Sequence, residues 1–252
     1  MAIMIGLSIK VAAGSLKDIG RLRGARDMLS ISDGAARGER SIPATVAAPR
    51  GDRGKRIFDV TVSAAALLFF APLLAVIAVA LLAVDGRPLI FRHARVGAQG
   101  RLFDCLKFRS MRRDASERLT ELLATDPERR REWAEKRKLS SDPRVHWLGK
   151  ILRMTCLDEL PQFYNVLRGD MSLVGPRPIP PDETEKYGSN LHYYTSLKPG
   201  MTGMWQVNRR ADTTYEERVQ YDIKYCQSRS AYLDLVIIVK TVGIVLFATN
   251  YA

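Results

Sequence analysis

The chain has 252 residues, 46% hydrophobic and 26% charged, with 39 Lys and Arg against 27 Asp and Glu and a formal charge of +12. These proportions exclude a disordered or low-complexity chain and suit one domain of ordinary size with a tail. The positive excess points to anionic partners, whether nucleic acid, phosphorylated small molecules or an acidic membrane face.

Residues 1–54 mix small, basic and turn-forming residues without a sustained period, which predicts a flexible tail. Within it a short helix over residues 15–29 fits the spacing of Leu16, Ile19, Leu22 and Met28. The first fourteen residues are too short, and lack the basic start, for a secretory signal. A basic collar of Arg53, Lys55 and Arg56 then leads into residues 60–84, which carry no charge. As one helix this run would extend about 37 Å, enough to cross a bilayer. Pro72 stands near its midpoint, and proline removes a helical hydrogen bond and clashes with the preceding turn. Two half-helices of about 18 Å each would instead dip into one leaflet and return. Arg87, Arg92, Arg95 and Arg101 follow the run, and basic flanks on both sides satisfy the positive-inside rule only in a hairpin. Chain physics alone leaves span and hairpin both open.

Beyond the run, residues 89–91 and 102–108 read as strands around a turn at 97–100. Residues 113–138 read as two charged helices divided at Asp126-Pro127. A further helix is expected after Leu157, ending near Gly169. Residues 232–251 are apolar but include Asp234 and Lys240, which predicts an amphipathic helix lying on a membrane or covering the core. Cys105, Cys156 and Cys226 form no C-x-x-C pair, and His93, His146 and His192 show no ligand spacing. This argues for a reducing compartment and against a zinc site.

Asp158-Glu159 is the most informative pair. Pro161 is tolerated only in a first helical turn, so the helix is expected to begin just before it. Both carboxylates would then lie at the positive end of its dipole, which favours their ionised form. Thr155 and Asp158 also have capping-box spacing, so a structural cap competes with a catalytic role. Around the pair stand basic residues on stiff segments: Lys107-Phe108-Arg109, Gly175-Pro176-Arg177-Pro178, and Arg209-Arg210 close after Trp205-Gln206-Val207-Asn208. Guanidinium forks bind phosphate oxygens bidentately, and a diphosphate needs several such donors.

Five ordered segments carry a resemblance. Lys107-Phe108-Arg109-Ser110-Met111, Asp142-Pro143-Arg144, Leu157-Asp158-Glu159-Leu160-Pro161-Gln162, Met171-Ser172-Leu173-Val174-Gly175-Pro176-Arg177-Pro178 and Pro199-Gly200-Met201-Thr202-Gly203-Met204-Trp205-Gln206-Val207 resemble the bacterial sugar transferases. These are the monotopic polyprenyl-phosphate phosphoglycosyl transferases, and the chain looks most like their initiating exopolysaccharide enzymes.

The resemblance implies an α+β, mostly helical fold with short strands. It divides the chain into a tail at 1–54, a re-entrant membrane helix at 55–88 hinged at Pro72, and a cytoplasmic catalytic body at 89–252. It implies a bacterial inner-membrane enzyme that moves sugar 1-phosphate from a UDP-sugar to undecaprenyl phosphate and releases UMP. Asp158 would be the nucleophile, with Glu159 beside it helping to bind Mg²⁺. Lys107, Arg153, Arg177, Gln206 and Arg210 would hold substrate phosphates. The implied partners are UDP-sugar, polyprenyl phosphate and inner-membrane lipid, with room for a homodimer.

Two departures stand out: Arg209 replaces the family's usual glycine, and Ala71 precedes Pro72 where some relatives have serine. Sugar-only transfer to a lipid carrier and a non-catalytic basic membrane-docking protein are the competing readings. Nucleic acid is not expected, because the aromatic-basic interleaving of single-strand binders is missing.

Overall fold

The computed structural model describes residues 53–136, 139–210 and 212–247. The tail up to residue 52, with the helix expected at 15–29, lies outside the described residues.

The apolar run folds as one helix, α1 (Arg53–Asp85), with Pro72 inside it. The expected division into two separate half-helices is therefore not seen, and the helical assignment carries through the proline. Both ends of α1 nevertheless dock on the same body. Near its start, Arg56 donates to the carbonyls of Val166 (2.6 Å) and Leu167 (2.7 Å), and buried Asp59 accepts from Leu173 N at 3.2 Å. At its end, Arg109 Nη2 donates to the carbonyls of Asp85 (2.9 Å) and Gly86 (2.8 Å), so this arginine serves as a helix staple rather than a phosphate ligand. Ile77 and Leu81 pack with Phe108, Leu148 and Leu152. Between Ser63 and Ile77 nothing is buried, and Leu68 and Phe69 are 80% and 77% exposed.

The strands β1 (Ile90–Val96) and β2 (Leu102–Phe108) pair antiparallel, with Phe91 opposite Lys107 and His93 opposite Cys105. The first strand is longer than the three residues expected. The charged segment forms α2 (Ala115–Thr125) and α3 (Pro127–Lys136), divided where Asp126-Pro127 predicts. A short helix the sequence reading did not anticipate, α4 (Trp147–Met154), is capped by His146, whose Nδ1 accepts from Gly149 N at 2.9 Å.

Next come a 3-10 turn at Leu157–Glu159 and α5 (Gln162–Arg168), which ends at Gly169 in the left-handed conformation (φ +96°) that glycine adopts freely. Two further strands, β3 (Ser172–Val174) and β4 (Gly200–Thr202), pair in parallel. A 3-10 segment at Pro181–Asn190 and α6 (Leu191–Thr195) intervene. The described chain closes with α7 (Met204–Asn208), α8 (Tyr215–Ser228) and α9 (Ala231–Phe247).

One core joins Cys105, Val166, Met171, Leu173, Val174, Met204, Tyr225 and Ile237 across β2, α5, β3 and the last helices. A second gathers Val96, Ile179, Tyr187, Tyr194 and Val219. Helix α9 meets the core-covering half of its expectation. Leu233, Ile237 and Ile238 pack on the core, while Tyr232, Leu235, Val239, Val242 and Leu246 form an exposed stripe at helical spacing. The fold is mostly helical with short strands, and α1 is long and apolar enough to cross a membrane.

Candidate active site

The carboxylate pair sits where three segments meet. Cys156 takes a left-handed conformation (φ +56°), costing a non-glycine residue about 1 kcal/mol, and turns the chain from α4 into the 3-10 turn. Thr155 does not cap this turn. Its hydroxyl donates back to the carbonyls of Ile151 (2.7 Å) and Leu152 (3.3 Å), which ends α4 and corrects the capping-box expectation. Pro161 precedes α5 rather than opening it, so Asp158 and Glu159 belong to the turn ahead of the helix.

Asn165 aligns this turn with β2. It is fully buried, accepts from Leu106 N at 2.9 Å through Oδ1, and donates to Asp104 O at 2.7 Å through Nδ2. The adjacent Lys107 is thereby set against Glu159, with Nζ 2.5 Å from Oε1. Arg153, on the last turn of α4, donates from Nε to Ser110 Oγ at 2.8 Å and lies close enough to pull on Asp158.

The two carboxylates are tuned in opposite directions. Asp158, 8% exposed, is pushed up to about 6, mainly by burial and further by Glu159, against the pull of Lys107 and Arg153. This reverses the dipole-based expectation, because desolvation of a carboxylate outweighs a helix end that starts only after Pro161. For Glu159, burial pushes upward, but Lys107, Arg177 and Arg209 more than offset it and hold it below the usual carboxylate range.

The third segment is built by glycine contact. Gly200 N donates to Pro176 O at 2.8 Å, and a Cβ on Gly200 would stand 2.1 Å from Gly175 N. Only hydrogen at that position lets the 175–178 loop lie against β4. The loop thus presents Arg177 to Trp205, whose ring is approached by Arg177 at 5.5 Å, Arg209 at 5.8 Å and Arg218 at 5.3 Å. Arg218 is anchored by Glu183 at 3.2 Å, and its Nε and Nη2 are buried without partners, as are Trp205 Nε1 and Gln206 Oε1. Asp222, which accepts from Tyr187 OH at 2.7 Å, is pushed up to about 6, chiefly by burial.

Of the expected site residues, Lys107, Arg153, Asp158, Glu159 and Arg177 fall on these three segments, while Gln206 lies on α7 with its Oε1 buried and unpartnered. Arg210 does not join them. Its side chain is 70% exposed and faces Asp212 at 3.5 Å and Glu217 at 3.9 Å, whereas Arg209 faces Trp205 and Glu159. Trp205 belongs to the Pro199–Val207 segment, whose sequence gives no sign of a role for the ring. Arg218 gave no local signal, since it is one charge among several on α8. Arg144 of the Asp142-Pro143-Arg144 segment is spent on Asp142, at 2.8 and 2.7 Å.

Lys107 and Arg153 act on Asp158, and Lys107, Arg177 and Arg209 act on Glu159, so four cations stand about two adjacent carboxylates. That excess suits a polyanionic ligand such as a diphosphate. Among the described residues no group of three or more His, Cys, Asp or Glu is gathered for a metal. Two adjacent carboxylates fit an ion completed by substrate phosphate and water, as Mg²⁺ commonly is, and do not form a protein cage.

The family model described as bacterial sugar transferase matches residues 51–248. The undecaprenyl-phosphate galactose phosphotransferase of Salmonella typhimurium is 48% identical over 192 residues, covering 76% of this chain and 40% of that protein. Exopolysaccharide production protein ExoY of Rhizobium meliloti is 44% identical over 194 residues, covering 77% of this chain and 86% of that protein. The UDP-glucose:undecaprenyl-phosphate glucose-1-phosphate transferase of Klebsiella pneumoniae is 40% identical over 196 residues, covering 75% of this chain and 39% of that protein. The chain therefore spans about two fifths of the first and third relatives and most of the second.

Proposed function

The chain belongs to the bacterial sugar transferase family, and on that premise we propose that it transfers sugar 1-phosphate from a UDP-sugar to undecaprenyl phosphate. The observation that carries the reading is Asp158, a buried carboxyl on a strained turn within reach of Lys107 and Arg153. Its Oδ attacks the sugar-bearing phosphorus, the bond to the other phosphate breaks, and UMP departs with that electron pair. The resulting phosphoglycosyl-aspartate is then attacked by an oxygen of undecaprenyl phosphate, which frees the carboxylate and yields the lipid diphosphate sugar. Arg177 and Arg209, which act on Glu159, neutralise phosphate oxygens as charge moves onto the leaving group. Lys107 holds Glu159 in place and keeps Asp158 from rising further. Asp158 and Glu159 would hold a Mg²⁺ whose charge offsets that of the diphosphate.

The body is proposed to sit on the cytoplasmic face of the inner membrane. Supporting a re-entrant α1, both its ends touch one body while its middle is apolar and exposed. A helix crossing a bilayer would hold its ends about 30 Å apart across lipid, where one body could not reach both. The exposed stripe of α9 supports contact with the same surface.

The test is to incubate detergent-extracted protein with UDP-sugars, Mg²⁺ and undecaprenyl phosphate and identify the nucleotide product. UMP is expected. UDP would replace the reading with sugar-only transfer, and no nucleotide release from any UDP-sugar would remove catalysis. Cysteine labelling at either end of α1 is expected to find both ends cytoplasmic, and a periplasmic end would exclude the re-entrant helix.

A further inference from the structure

A cavity of about 450 Å³ opens where the start of α1 meets β3 and the end of α8. Arg53, Arg56, Lys198 and Arg229 line its rim, and Leu197 and Tyr225 its apolar wall. Lys55 also borders it, although its Nζ is drawn to Asp234 at 2.6 Å. Asp59 is the one carboxylate in this lining, and its Oδ1 is occupied by Leu173 N. The lining thus holds a large excess of positive charge.

Asp59, Asp170 and Asp234 reach Lys55 and Lys198 among these cations. Arg56 spends two donors on the carbonyls of Val166 and Leu167, leaving the rest of its five N–H groups. Burial, with Arg56 next, pushes the Lys198 ammonium below the usual lysine value. Ser172 also lines the cavity, is 3% exposed, and its Oγ has no hydrogen-bond partner. A buried hydroxyl left unpaired in a cavity lined by several guanidinium groups is what a tetrahedral oxyanion would complete.

The cavity is separate from the Asp158 centre. Arg56 bonds at the C-terminal end of α5, whereas Asp158 precedes its N-terminal end, and the seven-residue helix between them is about 10 Å long. The cavity also stands at the foot of the apolar helix, where headgroups would lie if α1 enters a leaflet.

We propose that this cavity is a second anion site, taking a phosphate-bearing group at the base of α1 apart from the transfer reaction. The same chemistry could come from a lipid headgroup or from free phosphate.

The test uses the full chain in neutral detergent and reads thermal stabilisation by two probes, inorganic phosphate and short-chain phosphatidylglycerol. Wild type and Lys107→Ala, which alters only the catalytic centre, should both be stabilised. Lys198→Glu with Arg229→Glu should raise the half-saturating concentration at least tenfold, while Arg113→Glu with Arg131→Glu, equal reversals elsewhere, should not. Should the first pair fail to fold, Arg53→Ala with Arg229→Ala serves, since neither side chain makes a bond among the described residues that it would break. Half-saturation by phosphatidylglycerol tenfold or more below that of phosphate identifies a lipid headgroup, and comparable values identify the free anion. The site is refuted if neither probe stabilises wild type, if the response survives the Lys198 and Arg229 changes, if the remote reversals abolish it equally, or if Lys107→Ala alone removes it. None of these outcomes depends on nucleotide release, so a failed transfer reaction and a failed anion site are told apart.

Discussion

Replacing Asp158 by Asn should make the protein inactive and more stable at once. The carboxyl titrates at 3.8 in an ordinary setting and near 6 here, mainly because burial disfavours its charge. A group with a raised folded-state pKa costs nothing below the unfolded value, and the cost is complete above the folded one. The shift is worth about 3 kcal/mol above pH ~7 and about 1 kcal/mol at pH ~4.5. Asp158→Asn removes the charge and keeps the shape, so the gain should grow with pH across that window. For a chain of this size each kcal/mol moves the melting temperature by about 2–4 °C. Thermal unfolding in detergent at the two pH values, alongside release of UMP, reads both effects. Equal or lower stability than wild type at neutral pH, or a gain that does not change with pH, would refute the electrostatic account of the site. Turnover at the wild-type rate would remove Asp158 as nucleophile.

In wild type, kcat/KM should fall as pH drops through about 6, when Asp158 takes up its proton. Lys107→Ala removes a charge that holds that pKa down, so the acid limb should move to higher pH, and an unmoved limb would dissociate Lys107 from Asp158. Arg209→Ala should lower kcat/KM by about tenfold or more, as loss of a charge-assisted phosphate contact does, while Arg210→Ala should stay within about twofold. The reverse order would restore Arg210 as the phosphate ligand. Asn165→Ala leaves Leu106 N and Asp104 O unpaired in a buried setting and should cost about 2–4 kcal/mol in chemical unfolding. A change under half of that would show that the staple between β2 and α5 is dispensable.

What could be read along the chain is what short-range pattern encodes. The charge-free run became α1, Asp126-Pro127 divided α2 from α3, Gly169 ended α5, and the hairpin formed around residues 97–100. Asp158-Glu159 and Arg177 stood out as candidates for the same reason, since their residue types and stiff neighbours are local facts. The parallel pairing of β3 with β4 was not legible, because two three-residue strands separated by twenty-five residues carry no periodic signal.

The sequence by itself determined the long apolar helix, the family and the candidate carboxylate pair. The tertiary structure decided how that pair is tuned and which arginines lie near it. Thr155 turned away to end α4, Arg209 rather than Arg210 met Trp205, and Arg218 arrived from a helix with no motif. Asp158 went up where a local dipole argument sent it down. Burial and Coulomb interaction depend on every atom within several ångströms, and those atoms come from β2, α4, the 175–178 loop, α7 and α8, which only folding brings together.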